Sequence, residues 1–458
     1  MDRVFEIFEE ILSIPRESGN EAAIADYIID FAQKHNCECY KDKLNNVFIK
    51  KDNNSNKTII LQAHSDMVCV SNNNNFDFEK NGIPFFVDGD FYTANNTSLG
   101  ADDGIGVAII LAMLEENKNM PNIEVMITVQ EETTMLGALN FDYSKLTSKT
   151  LISLDGIKEG DIESSSAGMC SLTITKNITY ENNIGNVYKI SISNLAGGHS
   201  GDDIHKKRWN AIKLVGKIFE KIDFINLIDI NLGIKDNVIP NEGYVIFSSK
   251  KDLIDIKEII NNLDFDLSIE DKDLKINAEK ICSDVNILQG KEIIGLINEL
   301  EDGLIDIFEE DGFPLLSSNI GKICLIKDLL EIKLSVRSAD KDKENNQLNK
   351  LQELCDKYNF KLNVDAKKPF FPFRKNSHIR ELLAQTYKDL YNKETEIKKV
   401  HACMEGGIIS CNIENLDIVT IAPTINDCHS INEKVSISST KRVYEWLKQT
   451  LIKFNEDK

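Results

Sequence analysis

Ile59-Ile60-Leu61-Gln62-Ala63-His64-Ser65-Asp66-Met67-Val68 reads as a hydrophobic strand that runs to a histidine, with an aspartate two residues further on. The same form recurs along the chain. Val125 to Val129 runs into Gln130-Glu131-Glu132, Leu151 to Leu154 into Asp155, and Ile418 to Ile421 toward the loop Asn426-Asp427-Cys428-His429-Ser430. Short apolar runs of this kind are buried strands, and the polar residue at each end marks where the strand leaves the sheet. Between them lie helix-period segments: Val4 to Ile14, Glu21 to His35, Ile379 to Tyr391 and Ser439 to Phe454. The glycine-rich turn Gly100 to Gly106 opens an apolar helix, Val107 to Glu116. Alternating strands and helices of this sort predict an α/β catalytic domain, a central mixed sheet flanked by helices.

From about Tyr188 to Lys367 the texture changes: strand and helix patterns still alternate, but Lys and Asp dominate. After Pro369 the first texture returns. The expected organisation is a catalytic domain at 1–186 and 373–458, interrupted by an inserted α/β domain at 187–372. A chain of 458 residues is long enough for two cores. With 53 Lys and Arg against 74 Asp and Glu, the net charge of −21 excludes nucleic acid and anionic membranes as natural partners. The longest apolar run, Val107 to Leu114, is far shorter than the roughly 20 residues of a membrane span. Ten scattered cysteines and an acidic N-terminal segment (Glu6, Glu9, Glu10) predict a reducing, cytoplasmic setting.

On an extended chain residues i and i+2 point the same way, so Asp66 can accept from one ring nitrogen of His64 while the other faces a metal. Taken alone, a His-x-Asp after a strand is a structural histidine or a turn in most proteins. Asp102 and Asp103 make the glycine turn acidic, which suits a cation better than a phosphate, although a helix N-cap gives the same residues. In Glu131-Glu132 adjacent side chains diverge, so one can bind metal and the other serve as a general base. A solvated strand end is the plain alternative. Taken together, His64, Asp102, Glu132, Asp155 and His429 are candidate ligands delivered to one edge of one sheet, where open α/β folds bind ligands. Two histidines and three carboxylates, one of them bridging, suit a pair of zinc ions, and manganese or cobalt also.

In this order the segments resemble the dinuclear zinc aminoacylase and carboxypeptidase clan of metallopeptidases, and within it the aminoacyl-histidine dipeptidases. The carrying motifs are His64-Ser65-Asp66-Met67-Val68, Leu99-Gly100-Ala101-Asp102 with Gly104-Ile105-Gly106, Glu131-Glu132, Gly197-Gly198-His199-Ser200-Gly201 and Pro423-Thr424 with His429-Ser430. The resemblance implies that His64, Asp102 and Asp155 hold one metal and that Asp102, Glu132 and His429 hold the other. It also implies that Asp66 orients His64 and that Glu131 is the base. The inserted domain becomes a lid and dimerisation domain, giving a homodimer, with His199, Asn210, Arg337 and Glu405 at the substrate. Arg337 is one of only seven arginines, placed after a strand where its fork could grip a carboxylate.

The resemblance therefore implies two zinc ions per chain and hydrolysis of dipeptides, either of Xaa-His type or of broad specificity, β-Ala-His included. An N-acyl amino acid deacylase with the same ligands is the rival, and a catalytically silent binding protein of the same fold is a further one. Gly156 and Ile157 follow Asp155 where the family commonly has a serine and an acidic residue, and Cys403 stands where a glycine is familiar. Cys428 beside His429 could perturb the metal site. His35, His205 and His378 have no such context and are expected at the surface.

Overall fold

The computed structural model describes residues 2–181, 185–222, 224–281, 287–288 and 290–457. The quoted strand forms as β3 (Thr58–His64) in a mixed sheet with β1 (Glu38–Lys41), β2 (Val47–Lys51), β4 (Asn122–Thr128), β5 (Thr150–Ser153), β6 (Asp161–Ser166), β7 (Glu396–Val400) and β8 (Asp417–Thr420). The sheet order is β1-β2-β4-β3-β5-β8-β6-β7. β3 runs parallel to β4 and β5, and β5 parallel to β8, so these four strands end at the same edge. Ile59 to His64 and Ile123 to Thr128 are buried on both faces, which explains why they read as continuous apolar runs without alternation. Helix Asp2–Leu12 packs on helix Ala101–Met113, and helix His378–Tyr391 on helix Ile437–Glu456, where the Trp446 indole donates to Leu383 O at 2.9 Å.

The chain divides into two compact units, residues 1–166, 371–400 and 405–458 in one and residues 167–370 and 401–404 in the other. The first crossover falls at 166/167, twenty residues before the expected 186/187. The reason is pairing: strand Gly168–Asn177 is hydrogen-bonded to Leu329–Ser338 and Lys361–Lys368 of the second unit, although its sequence continues the texture of β6. Residues 401–404 likewise belong to the second unit.

The second unit is built on an antiparallel sheet. Its main path runs Lys275–Ile281, Asn186–Ser193, Gly243–Ser249, Phe224–Gly233, Pro314–Ile326, Leu329–Ser338, Gly168–Asn177 and Lys361–Lys368. Helices Ala211–Phe219, Leu253–Asn261, Gly290–Glu299 and Lys341–Tyr358 pack against it around a core that includes Ile212, Val215, Ile230, Phe247, Ile297 and Leu334. Among the described residues no helix is long and apolar enough to cross a membrane.

Candidate metal centre

All five expected ligands lie in the first unit. His64 ends β3, Glu131 and Glu132 follow β4, and Asp155 follows β5. His429 sits in the loop between the paired segments Ile425–Asn426 and Lys434–Ser436, which a further pairing to Phe91–Ala94 anchors. Asp102 occupies the first turn of helix Ala101–Met113, behind Gly100 at φ 73° and joined to Asp103 by a cis peptide.

The donor atoms converge. His64 Nε2 is 3.1 Å from Asp102 Oδ1 and 3.6 Å from Asp155 Oδ1. His429 Nε2 is 3.2 Å from Asp102 Oδ2 and 3.0 Å from Glu132 Oε1. Two donors bound at roughly 2.0–2.2 Å to one tetrahedral cation stand about 3.3–3.6 Å apart, so the four spacings lie at or slightly inside that of a shared metal, with one oxygen of Asp102 turned toward each imidazole. Among the described residues the groups that close within metal-binding distance are His64, Asp102 and Glu132, and His64, Asp103 and Asp155. Glu132 Oε1 is buried and makes no hydrogen bond of acceptable angle with the nearby imidazole, as expected of two donors aimed at a common point.

The charges agree with this. Burial, with Asp155 next, pushes the Glu131 carboxyl well up, and burial and Asp102 raise Glu132 against the opposing pull of His429 and His64. Burial opposes a charge on His64, yet Asp155, Asp102 and Asp66 together drive its pKa well above the ordinary value. His429 is raised to about 11 by Asp102 and Glu132. The site is thus a buried excess of carboxylates that draws positive charge onto the two imidazoles among them; a pair of divalent ions fits that donor set.

Asp66 holds the centre together. Its buried carboxylate lies 3.3 Å from His64 Nδ1 and accepts from the Ser18 hydroxyl at 2.7 Å and the backbone N–H groups of Glu131 and Glu132 at 3.0 and 3.3 Å. One carboxylate therefore faces the His64 imidazole and fixes the turn that carries Glu131 and Glu132. Burial pushes its pKa up, but His64, Ser18 and the Glu131 N–H outweigh it and hold it low.

Sequence reasoning missed two buried supports. Glu433 accepts from the N–H groups of Leu99, Gly100, Ala101 and Asp102 at 2.8, 2.9, 2.7 and 3.3 Å. Arg16 donates to the carbonyls of Ser65 at 3.1 Å and Asp66 at 3.0 Å, and to that of Gly100. A Cβ on Gly100 or Gly104 would collide with the Arg16 guanidinium, which is what those glycines are for. The rarity of arginine, used for Arg337, applies equally to Arg16; nothing local marks Glu433.

Glu405, expected at the substrate, is 1% exposed and accepts from Gln62 Nε2 at 2.9 Å and Thr128 Oγ1 at 2.5 Å. It is a brace between β3, which ends in His64, and β4, which ends in Thr128, with its pKa pushed to about 8 by burial. In the second unit Asn210 is an N-cap, accepting from Ile212 N–H at 2.8 Å and donating to Asp302 and to the Ile320 carbonyl. Arg337 is buried, donates to Ser200 Oγ at 3.3 Å, and lies 3.4 Å from His199 Nε2. Among the described residues it has no carboxylate ion pair, an unusual state for a buried guanidinium. His401 packs in the same cluster, its Nε2 2.7 Å from Ser317 Oγ and its pKa lowered to about 3 by burial and Arg337. His205 and His378 are exposed and His35 is half-buried against Glu115; none belongs to a metal-binding group among the described residues.

Residues 60–453 match the family described as peptidase family M20/M25/M40. The chain belongs to this family. The M20 chain is 31% identical to the cytosol non-specific dipeptidase of Escherichia coli, over 98% of its own length and 96% of that protein's. It also superposes on the aminoacylhistidine dipeptidase of Vibrio alginolyticus with a TM-score of 0.88 and 28% identity, covering 99% of this chain and 96% of that one. Aminopeptidase PepT of Bacillus cereus shares the fold at a TM-score of 0.58 and 16% identity, over 100% and 99% of the two chains. The M20 chain is a hydrolase, and its ligand-bearing edge lies within the matched region.

Proposed function

We propose that this protein is a dinuclear zinc dipeptidase that acts in the cytoplasm on free dipeptides, Xaa-His or of broad specificity. The observation that carries the reading is the single carboxylate of Asp102 placed between two imidazoles, His64 and His429, each completed by its own acidic partner, Asp155 or Glu132. The two whole-length relatives are named as dipeptidases, which favours that substrate class over N-acyl amino acids.

His64, Asp102 and Asp155 would hold one cation, and Asp102, Glu132 and His429 the other; when bound, the pair would acidify the attacking water and polarise the scissile carbonyl. Glu131, a buried carboxylate whose proton affinity is raised by burial and Asp155, takes the proton of that water in its ionised form and returns it to the leaving amine. Asp66 keeps Glu131 and His64 in place through the contacts described above. Arg337, a buried guanidinium without an acidic partner, is assigned to the substrate's C-terminal carboxylate, and His199 to its carbonyl oxygen. A homodimer through the inserted unit completes the reading.

The test is turnover of the zinc-loaded protein on a dipeptide panel alongside N-acetyl amino acids. Cleavage of free dipeptides at rates at least tenfold above the N-acetyl series is expected. Preference for the N-acetyl compounds would assign the protein to the deacylases instead.

A further inference from the structure

Glu21 stands immediately before helix Ala22–Lys34, where a carboxylate ordinarily accepts from the first N–H groups of its own helix. It makes no such cap bond. Its side chain is buried, at 1% exposure, and accepts instead from the N–H groups of Gly19 at 2.8 Å and Gln130 at 3.1 Å, the second 109 residues further along the chain. The segment that carries it is tied to the same end of the sheet throughout. Arg16 donates to the carbonyls of Ser65 and Asp66, Glu17 bridges to Met67, and the Ser18 hydroxyl donates to Asp66. Glu21 thereby reaches the turn after β4 that presents Glu131 and Glu132.

That turn needs holding. Gln130 has φ 54°, a left-handed conformation that is costly for a residue with a Cβ and persists only where the surroundings impose it. The far side of the turn is closed by its own backbone. Thr134 and Met135 donate to the Gln130 carbonyl at 3.1 and 2.7 Å, and Gly137 donates to Val129 O at 3.1 Å, packed so closely there that a Cβ would collide with the Val129 backbone. On the near side two buried carboxylates divide three successive N–H groups, Glu21 taking that of Gln130 and Asp66 those of Glu131 and Glu132. The peptide before Gln130 and the peptide after it are thus each held. Together they set both dihedrals of Gln130, and with them the direction in which Glu131 leaves the strand; Asp66 by itself fixes only the second peptide.

We propose that Glu21 is a positioning residue for the general base, holding Gln130 in its left-handed conformation so that the Glu131 carboxylate is aimed at the attacking water. The inference rests on the reading of Glu131 as the base and deepens it by naming what aims that side chain. Glu21 acts through the backbone of the turn. Its removal misdirects Glu131 while Asp66 still holds the Glu132 N–H and still faces His64. A displacement of about 1 Å at a reacting group costs on the order of 100-fold in rate.

The experiment measures steady-state turnover of a free dipeptide and metal content for zinc-loaded wild type, Glu21→Ala, Glu21→Gln, Glu21→Asp and Glu131→Gln, and for each Glu21 variant combined with Glu131→Gln. For Glu21→Ala, kcat should fall about 10- to 100-fold with KM within about twofold and two metal ions per chain retained. Glu21→Gln keeps an acceptor oxygen at the same reach and should stay within about threefold of wild type, whereas Glu21→Asp keeps the charge but falls one methylene short and should resemble Glu21→Ala. With the base already removed there is nothing left to aim, so Glu21→Ala on top of Glu131→Gln should cost less than about threefold more. A full additive loss in that double variant, a fall confined to KM, loss of metal, or Glu21→Gln slower than Glu21→Asp would overturn the proposal while leaving the base in place. A near-normal rate for Glu131→Gln alone would remove the base reading and the proposal with it. Should Glu21→Ala fail to fold, the Gln and Asp variants, alone and over Glu131→Gln, carry the same comparison.

Discussion

Glu433→Ala removes the carboxylate that accepts from four successive backbone N–H groups at the turn presenting Asp102, three of them at 2.7–2.9 Å and one at 3.3 Å. It also leaves the buried guanidinium of Arg16 without the acid that most favours its charge. A hydrogen bond to a charged group contributes about 1.5–3 kcal/mol, and orphaning a buried partner costs a similar amount, but contacts sharing one carboxylate are not additive. A loss of about 3–5 kcal/mol is therefore expected, a large part of the roughly 5–15 kcal/mol that holds a domain together. The functional consequence comes first. With its N–H groups released the turn rotates, and Asp102 no longer offers one oxygen to each imidazole, so metal affinity should fall on the order of 10- to 100-fold. The assay is zinc titration against a competing chelator, alongside urea denaturation of the loaded and metal-free protein. Glu433→Gln, which keeps one acceptor oxygen, should lose roughly half as much. Arg16→Met should couple to it, the double variant losing less than the two single losses combined. Wild-type metal affinity in Glu433→Ala would refute the view that this carboxylate sets the Asp102 turn.

Glu131→Gln should lower turnover on the order of 10² to 10⁴ while both metals stay bound, because the base is not a ligand; a near-normal rate would remove it from the mechanism. Asp102→Ala should lose both metals together, since its two oxygens serve both sets, and elemental analysis showing two tightly held ions would contradict the bridge. Glu405 has a folded pKa of about 8 against an ordinary 4.5, so the stability it confers is complete below about 4.5 and is lost as pH rises through about 8. The denaturation midpoint of the metal-free protein should fall across that window, and less steeply in Glu405→Gln; identical slopes would show that another group carries the pH dependence.

The sequence by itself determined the elements and the chemistry at their ends. A buried strand announces itself by its apolar run, so the places of His64, Glu131, Glu132 and Asp155 at strand ends were legible from local pattern, while only their joint occurrence pointed to a shared site. The i, i+2 geometry of a strand likewise tied Asp66 to His64 without any fold. Only the tertiary structure decided which distant segments meet. That Asp102 lies between His64 and His429 depends on the parallel register of β3, β4, β5 and β8 and on a loop anchored hundreds of residues away in sequence. Glu433 has no local signature, and Arg16 has only its rarity, because their meaning lies in what they face. Asn210 and Glu405 sit in motifs that suggested contact with substrate, yet the structure turns one into a helix cap and the other into a brace between strands. The crossover at 166/167 was hidden for the same reason. Periodicity records which face of a strand is apolar and says nothing of its neighbour, and β6 and Gly168–Asn177 look alike in sequence while pairing in different sheets.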